Sequence, residues 1–149
     1  MNITVIGGHS CSKENYNFAY ELGKLIAKEG WILISGGKEG VMEAVCRGAK
    51  EQGGLTVGIL PGYDQKEAND YVDIKLPTGL GYARNVLVVR ASDVVIAVSG
   101  EYGTLSEVGF ALSEKKIVIG IDSWDIKGVI KVKTPQAAIA QVKKELDVK

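Results

Sequence analysis

The sequence predicts a Rossmann-like α/β fold: a doubly wound, largely parallel sheet with helices on both faces. Short apolar runs alternate with segments of helical period along the whole chain, and most of those runs stop at glycine. With 149 residues, 46% hydrophobic and 24% charged, one core can be filled but two cannot, so residues 1–149 read as a single domain. Strands separated by helices need crossover connections, and right-handed crossovers wind the sheet in both directions.

Ile3 to Ile6 is a buried strand stopped by Gly7-Gly8. Ala19, Leu22 and Ile26 mark one face of the next helix, which Gly30 ends. Trp31 to Ile34 is a second strand, cut off at Gly36-Gly37, and Val41 to Gln52 resumes the helical period through Met42, Val45 and Ala49. Leu55 to Leu60 is a third strand, closed by Pro61-Gly62, and the polar residues 63 to 71 form an exposed loop. Val72 to Leu76 alternates as a short strand, and a helix from about Gly81 to Ala91 leads into Asp93 to Val98, the clearest buried strand. A helix from about Thr104 to Lys115 precedes the strand Ile117 to Ile121, and Val129 to Val132 is a weaker last strand. Thr134-Pro135 joins a capping side chain to a proline at the first helical position, and Ile139, Val142 and Leu146 line that helix.

Basic and acidic residues number 18 each, so no overall field draws the chain to nucleic acid or to an acidic membrane. No basic leader with an apolar core opens the sequence, and no run approaches the ~20 apolar residues of a membrane span. Cys11 and Cys46 do not make a disulfide framework, which with the rest implies a cytoplasmic protein. His9 is the single histidine, and His9 with Cys11 lacks metal-ligand spacing, so no metal is expected.

Ligands of such sheets sit beyond the carboxyl ends of the strands. Three glycine-bearing loops leave strand ends here: Gly7-Gly8, Ser35 to Gly40, and Ser99 to Thr104. Glycine lets backbone approach a ligand, and a following helix offers free N–H groups to an anion. The Gly-x-Gly-x-x-Gly dinucleotide fingerprint, the P-loop and the Gly-x-Ser-x-Gly nucleophile elbow are all absent.

Ser99-Gly100-Glu101-Tyr102-Gly103-Thr104-Leu105-Ser106-Glu107 resembles the Pro-Gly-Gly-x-Gly-Thr-x-x-Glu hallmark of the Lonely Guy (LOG) family of phosphoribohydrolases. Arg84, nine residues before Asp93, and Gly36-Gly37-Lys38-Glu39-Gly40-Val41-Met42 match two further family elements, in the family's order. Ser99 in place of proline, and Glu101 in place of glycine, resemble instead a short branch of the family that includes molybdenum-cofactor carrier proteins. The LOG resemblance implies catalytic roles for Arg84 and Glu107, and at least a homodimer, to which Val86 to Val89 can contribute. The branch implies binding of a phosphorylated pterin without hydrolysis.

A carboxylate at position 107 can stabilise the charge that develops on a ribose as an N-glycosidic bond breaks. Thr104-Leu105-Ser106-Glu107 also reads as a capping box, and the two roles are compatible. Glu101 repels phosphate from the nearest N–H groups and suits hydroxyl donors better. The expected site is therefore Arg84 and Glu107 with Gly36, Gly37, Gly100, Glu101, Gly103 and Thr104. Thr78 and Gly79 shape its rim; Lys38 is a phosphate contact or a solvated lysine, and Cys11 and His9, in the first turn, line the site or belong to a plain loop. The expected ligand is a nucleoside monophosphate or a molybdopterin-type cofactor, bound by a carrier. Hydrolysis to a free base and ribose 5-phosphate, or a purely oligomeric assembly role, are the alternatives.

Overall fold

Apolar residues that alternate between two faces build the sheet. In Val94–Val98 every side chain is buried, with Val94, Ile96 and Val98 in one core cluster and Val95 and Ala97 in the other. Burial of each such side chain is worth about 2 kcal/mol. The computed structural model describes residues 1–148. Its strands are β1 (Asn2–Gly7), β2 (Ile32–Ser35), β3 (Thr56–Leu60), β4 (Ile74–Pro77), β5 (Val94–Val98), β6 (Ile117–Ile121) and β7 (Val129–Lys131). Its α-helices are α1 (Lys13–Lys28), α2 (Val41–Glu51), α3 (Arg84–Arg90), α4 (Tyr102–Ser113) and α5 (Pro135–Glu145).

All seven strands pair in parallel, in the order β4-β3-β2-β1-β5-β6-β7. The winding reverses between β1 and β5, where Ile3 stands beside Val94. Helices α1, α2 and α5 cover one face, meeting Val5, Leu33, Ile96 and Ile119. Helices α3 and α4 cover the other through Val88, Val89, Val108 and Ala111. The Rossmann-like arrangement is thus the observed one.

Helix ends follow local chemistry. The Ser12 hydroxyl accepts from the Asn15 N–H at 3.1 Å at the start of α1, and Thr134 accepts from Ala137 at 3.0 Å at the start of α5. Gly30, at φ +73°, terminates the first helical segment. Helices α1 and α2 pack backbone to backbone: a Cβ on Gly23 would stand 2.0 Å from the Val45 carbonyl oxygen, and one on Gly48 1.9 Å from that of Tyr20.

Three boundaries differ from expectation. The fourth strand is Ile74–Pro77 rather than Val72 to Leu76, because Val72 turns into the core from the loop while the edge strand leaves Ile74 and Leu76 exposed. The third helix opens with a 3-10 turn at Gly81–Ala83, and α4 begins at Tyr102 instead of Thr104. In α3 the run thought available for contact between copies is largely core, since Val88 and Val89 are fully buried and only Leu87 is exposed.

Candidate functional site

Three parallel strands end side by side at the winding reversal, and their glycine turns leave a cavity of about 540 Å³. Ile6, Met42 and Pro61 give it an apolar floor, while Gly7, Gly8, Gly36 and Gly103 present backbone to it. Its ionisable walls are His9, Lys38, Glu39, Arg84, Glu101 and Glu107, with Asn85, Thr104 and two tyrosines, Tyr82 and Tyr102, completing it.

Arg84 opens α3 and is only 9% exposed. Its Nε donates to the Ile59 carbonyl oxygen at 3.0 Å, and its guanidinium also donates to the Asn85 side-chain oxygen. Asn85 passes the restraint on, donating to Ser106 Oγ at 3.3 Å, and Ser106 donates to the Gly103 carbonyl at 2.6 Å. The end of β3, the start of α3 and the first turn of α4 are therefore tied together through one side-chain chain. Room for the guanidinium comes from Gly36, where a Cβ would lie 2.8 Å from an Arg84 Nη and 2.8 Å from Met42 Sδ.

Glu107 sits in the second turn of α4 and is 7% exposed. Burial pushes its carboxyl up to about 8, against the opposing pull of the Arg84 charge. Burial lowers the Arg84 pKa, while Glu107 and Tyr82 act to raise it. At neutral pH the acid is thus largely neutral and the guanidinium charged. Among the described residues Arg84 belongs to no ion pair. A nearly buried cation that no carboxylate pairs is suited to an anion.

The capping-box reading is corrected. Glu101 is the N-cap of α4 and makes no side-chain cap bond, so Thr104 is already the third helical residue and Glu107 points from the buried face. The N–H groups of Gly103 and Thr104, in the first helical turn, have no preceding helical carbonyl to bond. Helix α2 likewise starts without a side-chain cap at Gly40, and Val41 N–H bonds the Gly8 carbonyl at 3.0 Å.

Of the residues expected at the site, the cavity gathers Arg84, Glu107, Gly36, Glu101, Gly103 and Thr104, together with His9 and Lys38. Gly37 is not in its lining: its N–H is committed to Ser35 Oγ at 3.1 Å, and it faces Gly58 and Leu60. Gly100, at φ +113°, is packed against Thr104 and borders a separate 250 Å³ hollow with Ser99, Asp122, Ser123 and Trp124. Cys11 packs on the apolar core and Cys46 is buried beside Ser35. Thr78 bonds the Leu60 carbonyl at 2.7 Å, and the rim is formed instead by Gly81 and Tyr82. Asn85 had no distinguishing signal in the sequence beyond its place next to Arg84. Tyr102 lies inside the Ser99 to Glu107 motif and Tyr82 two residues before Arg84, but nothing in the sequence marks either as a site residue. No cluster of three or more His, Cys, Asp or Glu side chains suited to a metal occurs among the described residues. No helix among them is long and apolar enough to cross a membrane.

The profile of the SLOG cluster4 family matches residues 1–148. The molybdenum cofactor binding protein of Rippkaea orientalis superposes with a TM-score of 0.90 at 39% identity, covering 97% of this chain and 95% of that one. The molybdenum cofactor carrier protein of Chlamydomonas reinhardtii gives a TM-score of 0.88 at 38% identity, with 98% of each chain covered. A cytokinin riboside 5′-monophosphate phosphoribohydrolase of Mycobacterium tuberculosis is 31% identical over 121 residues, spanning 74% of this chain and 64% of that protein.

Proposed function

The chain belongs to the SLOG cluster4 family, and from that premise we propose that it binds a phosphorylated, nucleotide-like ligand as a carrier. The ligand is a molybdopterin-type cofactor or a nucleoside monophosphate. One observation carries the reading: Arg84 is nearly buried, held by Ile59 and Asn85, and Glu107, the acid that acts on its charge, is largely neutral at pH 7. A phosphate against the guanidinium would complete that charge balance, and the Gly103 and Thr104 N–H groups offer donors to the rest of the ligand. Glu101, at the same helix start, repels phosphate there and favours the hydroxyl-bearing part of the ligand. The phosphate therefore belongs at the Arg84 side. The family likeness to two molybdenum-cofactor proteins supports the carrier role.

Mass spectrometry of small molecules released on denaturing the purified protein tests this. A phosphorylated pterin or nucleotide should appear, and Arg84→Ala should lose it. A protein that releases none, and that no phosphorylated compound stabilises in a thermal-shift panel, would overturn the reading.

Phosphoribohydrolysis is the second reading, favoured by Glu107 standing beside Arg84 in the cavity. A carboxyl with a pKa of about 8 is protonated at neutral pH and can donate to a departing base. Release of adenine from AMP, abolished in Glu107→Gln, would establish it; intact AMP after prolonged incubation would exclude AMP as its substrate. A homodimer or larger assembly is part of either reading, and light scattering of the purified chain tests it.

A further inference from the structure

Two tyrosines line the cavity and are almost bare, Tyr82 at 84% and Tyr102 at 87% exposure. They come from different elements, the 3-10 turn before α3 and the first residue of α4. Each adjoins a glycine, Gly81 or Gly103, beside which a Cβ would meet no other part of the chain within 4 Å. Space next to both residues is therefore open. By contrast, Tyr16, Tyr20 and Tyr71 pack against the apolar core, and Tyr63, also exposed, lies against Gly79 outside the cavity lining.

We infer that Tyr82 and Tyr102 form an aromatic clamp that stacks on the flat heterocycle of the ligand at the cavity mouth, while its phosphate lies deeper, against Arg84. The inference rests on the ligand class proposed above and adds its orientation and the residues that select a planar ring. An aromatic ring bare in water gains most from a partner that covers its face, and any purine or pterin presents such a face. Tyr82 is close enough to act on the Arg84 charge, so mouth and anion seat lie within one small molecule of each other. The floor above Gly36 is already occupied by the guanidinium and Met42 Sδ, which leaves the mouth for the ring. A cavity of about 540 Å³ suits a ligand of nucleotide size.

Calorimetric titration of the whole chain with AMP and with ribose 5-phosphate tests the clamp, since the two share phosphate and pentose and differ in the ring. The wild type should bind AMP more tightly. Tyr82→Ala and Tyr102→Ala should each weaken AMP on the order of ten-fold and leave ribose 5-phosphate unchanged, while Tyr→Phe at either position keeps AMP binding. Equal losses for both compounds, or no loss for AMP, would overturn the clamp while leaving the phosphorylated-ligand reading intact. A wild type that binds neither compound would overturn the clamp and remove nucleoside monophosphates from the proposed ligand class. Light scattering of the same variants separates a third outcome: a changed assembly state with an unaltered AMP to ribose 5-phosphate ratio would place these rings between copies of the chain, and would also overturn the proposal.

Discussion

Helices α1 and α5 begin with an exposed hydroxyl residue that caps the first turn, whereas α2 and α4 begin at Gly40 and Glu101 with no side-chain cap. The capped pair starts away from the cavity; the uncapped pair starts at its wall. Where a helix start meets water, a short side chain satisfies it. Where it meets the cavity, the first-turn N–H groups have no side-chain cap, and Gly40 admits the backbone of Gly8 and His9 instead. Side-chain caps are thus confined to α-helix starts that lie away from the cavity.

Changing α2 into a capped helix should break this division most severely. Gly40→Ser offers a hydroxyl, but Gly40 sits at φ +69°, with a Cβ only 2.3 Å from the Gly8 carbonyl oxygen. Instead of gaining a cap, the variant should lose about 3 kcal/mol or more in urea denaturation. A more stable variant would show that the glycine is there for some other reason.

Arg84→Met should separate binding from folding. AMP affinity is expected to fall by about 30-fold or more, while unfolding stability stays level or rises, because a buried cation is replaced by an apolar chain. If stability collapses with affinity unchanged, the arginine is a structural strut between β3 and α3.

Glu107→Gln addresses the pH dependence. Its carboxyl is raised from an ordinary 4.5 to about 8, so the folded state holds a proton that the unfolded state releases. Its contribution to stability is complete below about 4.5 and is lost as pH rises through about 8, by on the order of 1 kcal/mol per pH unit. Thermal melts from pH 5 to 9 should show a flatter profile for the glutamine variant; parallel profiles would contradict the buried-acid assignment.

The smallest effect belongs to the capped pair. Thr134→Ala should cost about 1 kcal/mol and leave AMP affinity unaltered. A change in affinity there would mean that the two kinds of helix start are not independent.

Much of this was legible in the residues. Apolar runs such as Val94–Val98 and the glycines after them marked the parallel sheet and the edge where its ligands gather. Thr134-Pro135 announced α5 because capping is local chemistry. The start of α4 was misread for a related reason: Thr104 and Glu107 have the spacing of a capping box, and only the tertiary fold shows that Glu101 takes the cap position while Glu107 turns inward. Gly36 and Gly37 are adjacent glycines, yet one faces the cavity and the other faces β3, a difference set by backbone direction. Asn85 escaped notice because its importance lies in linking Arg84 to Ser106 across two helices.

The central position of β1 has a consequence for the order in which the molecule is made. Its partner on one side, β2, follows after a single helix, but its partner on the other, β5, comes only after β2, β3, β4 and α3. On the ribosome, one edge of β1 therefore waits unpaired while three further strands are made. Joining Ile3 to Val94 closes the longest loop of the sheet and is expected to be a late, slow event. The cavity straddles that seam, so a nascent chain can pair four of its seven strands before the walls of the cavity come together.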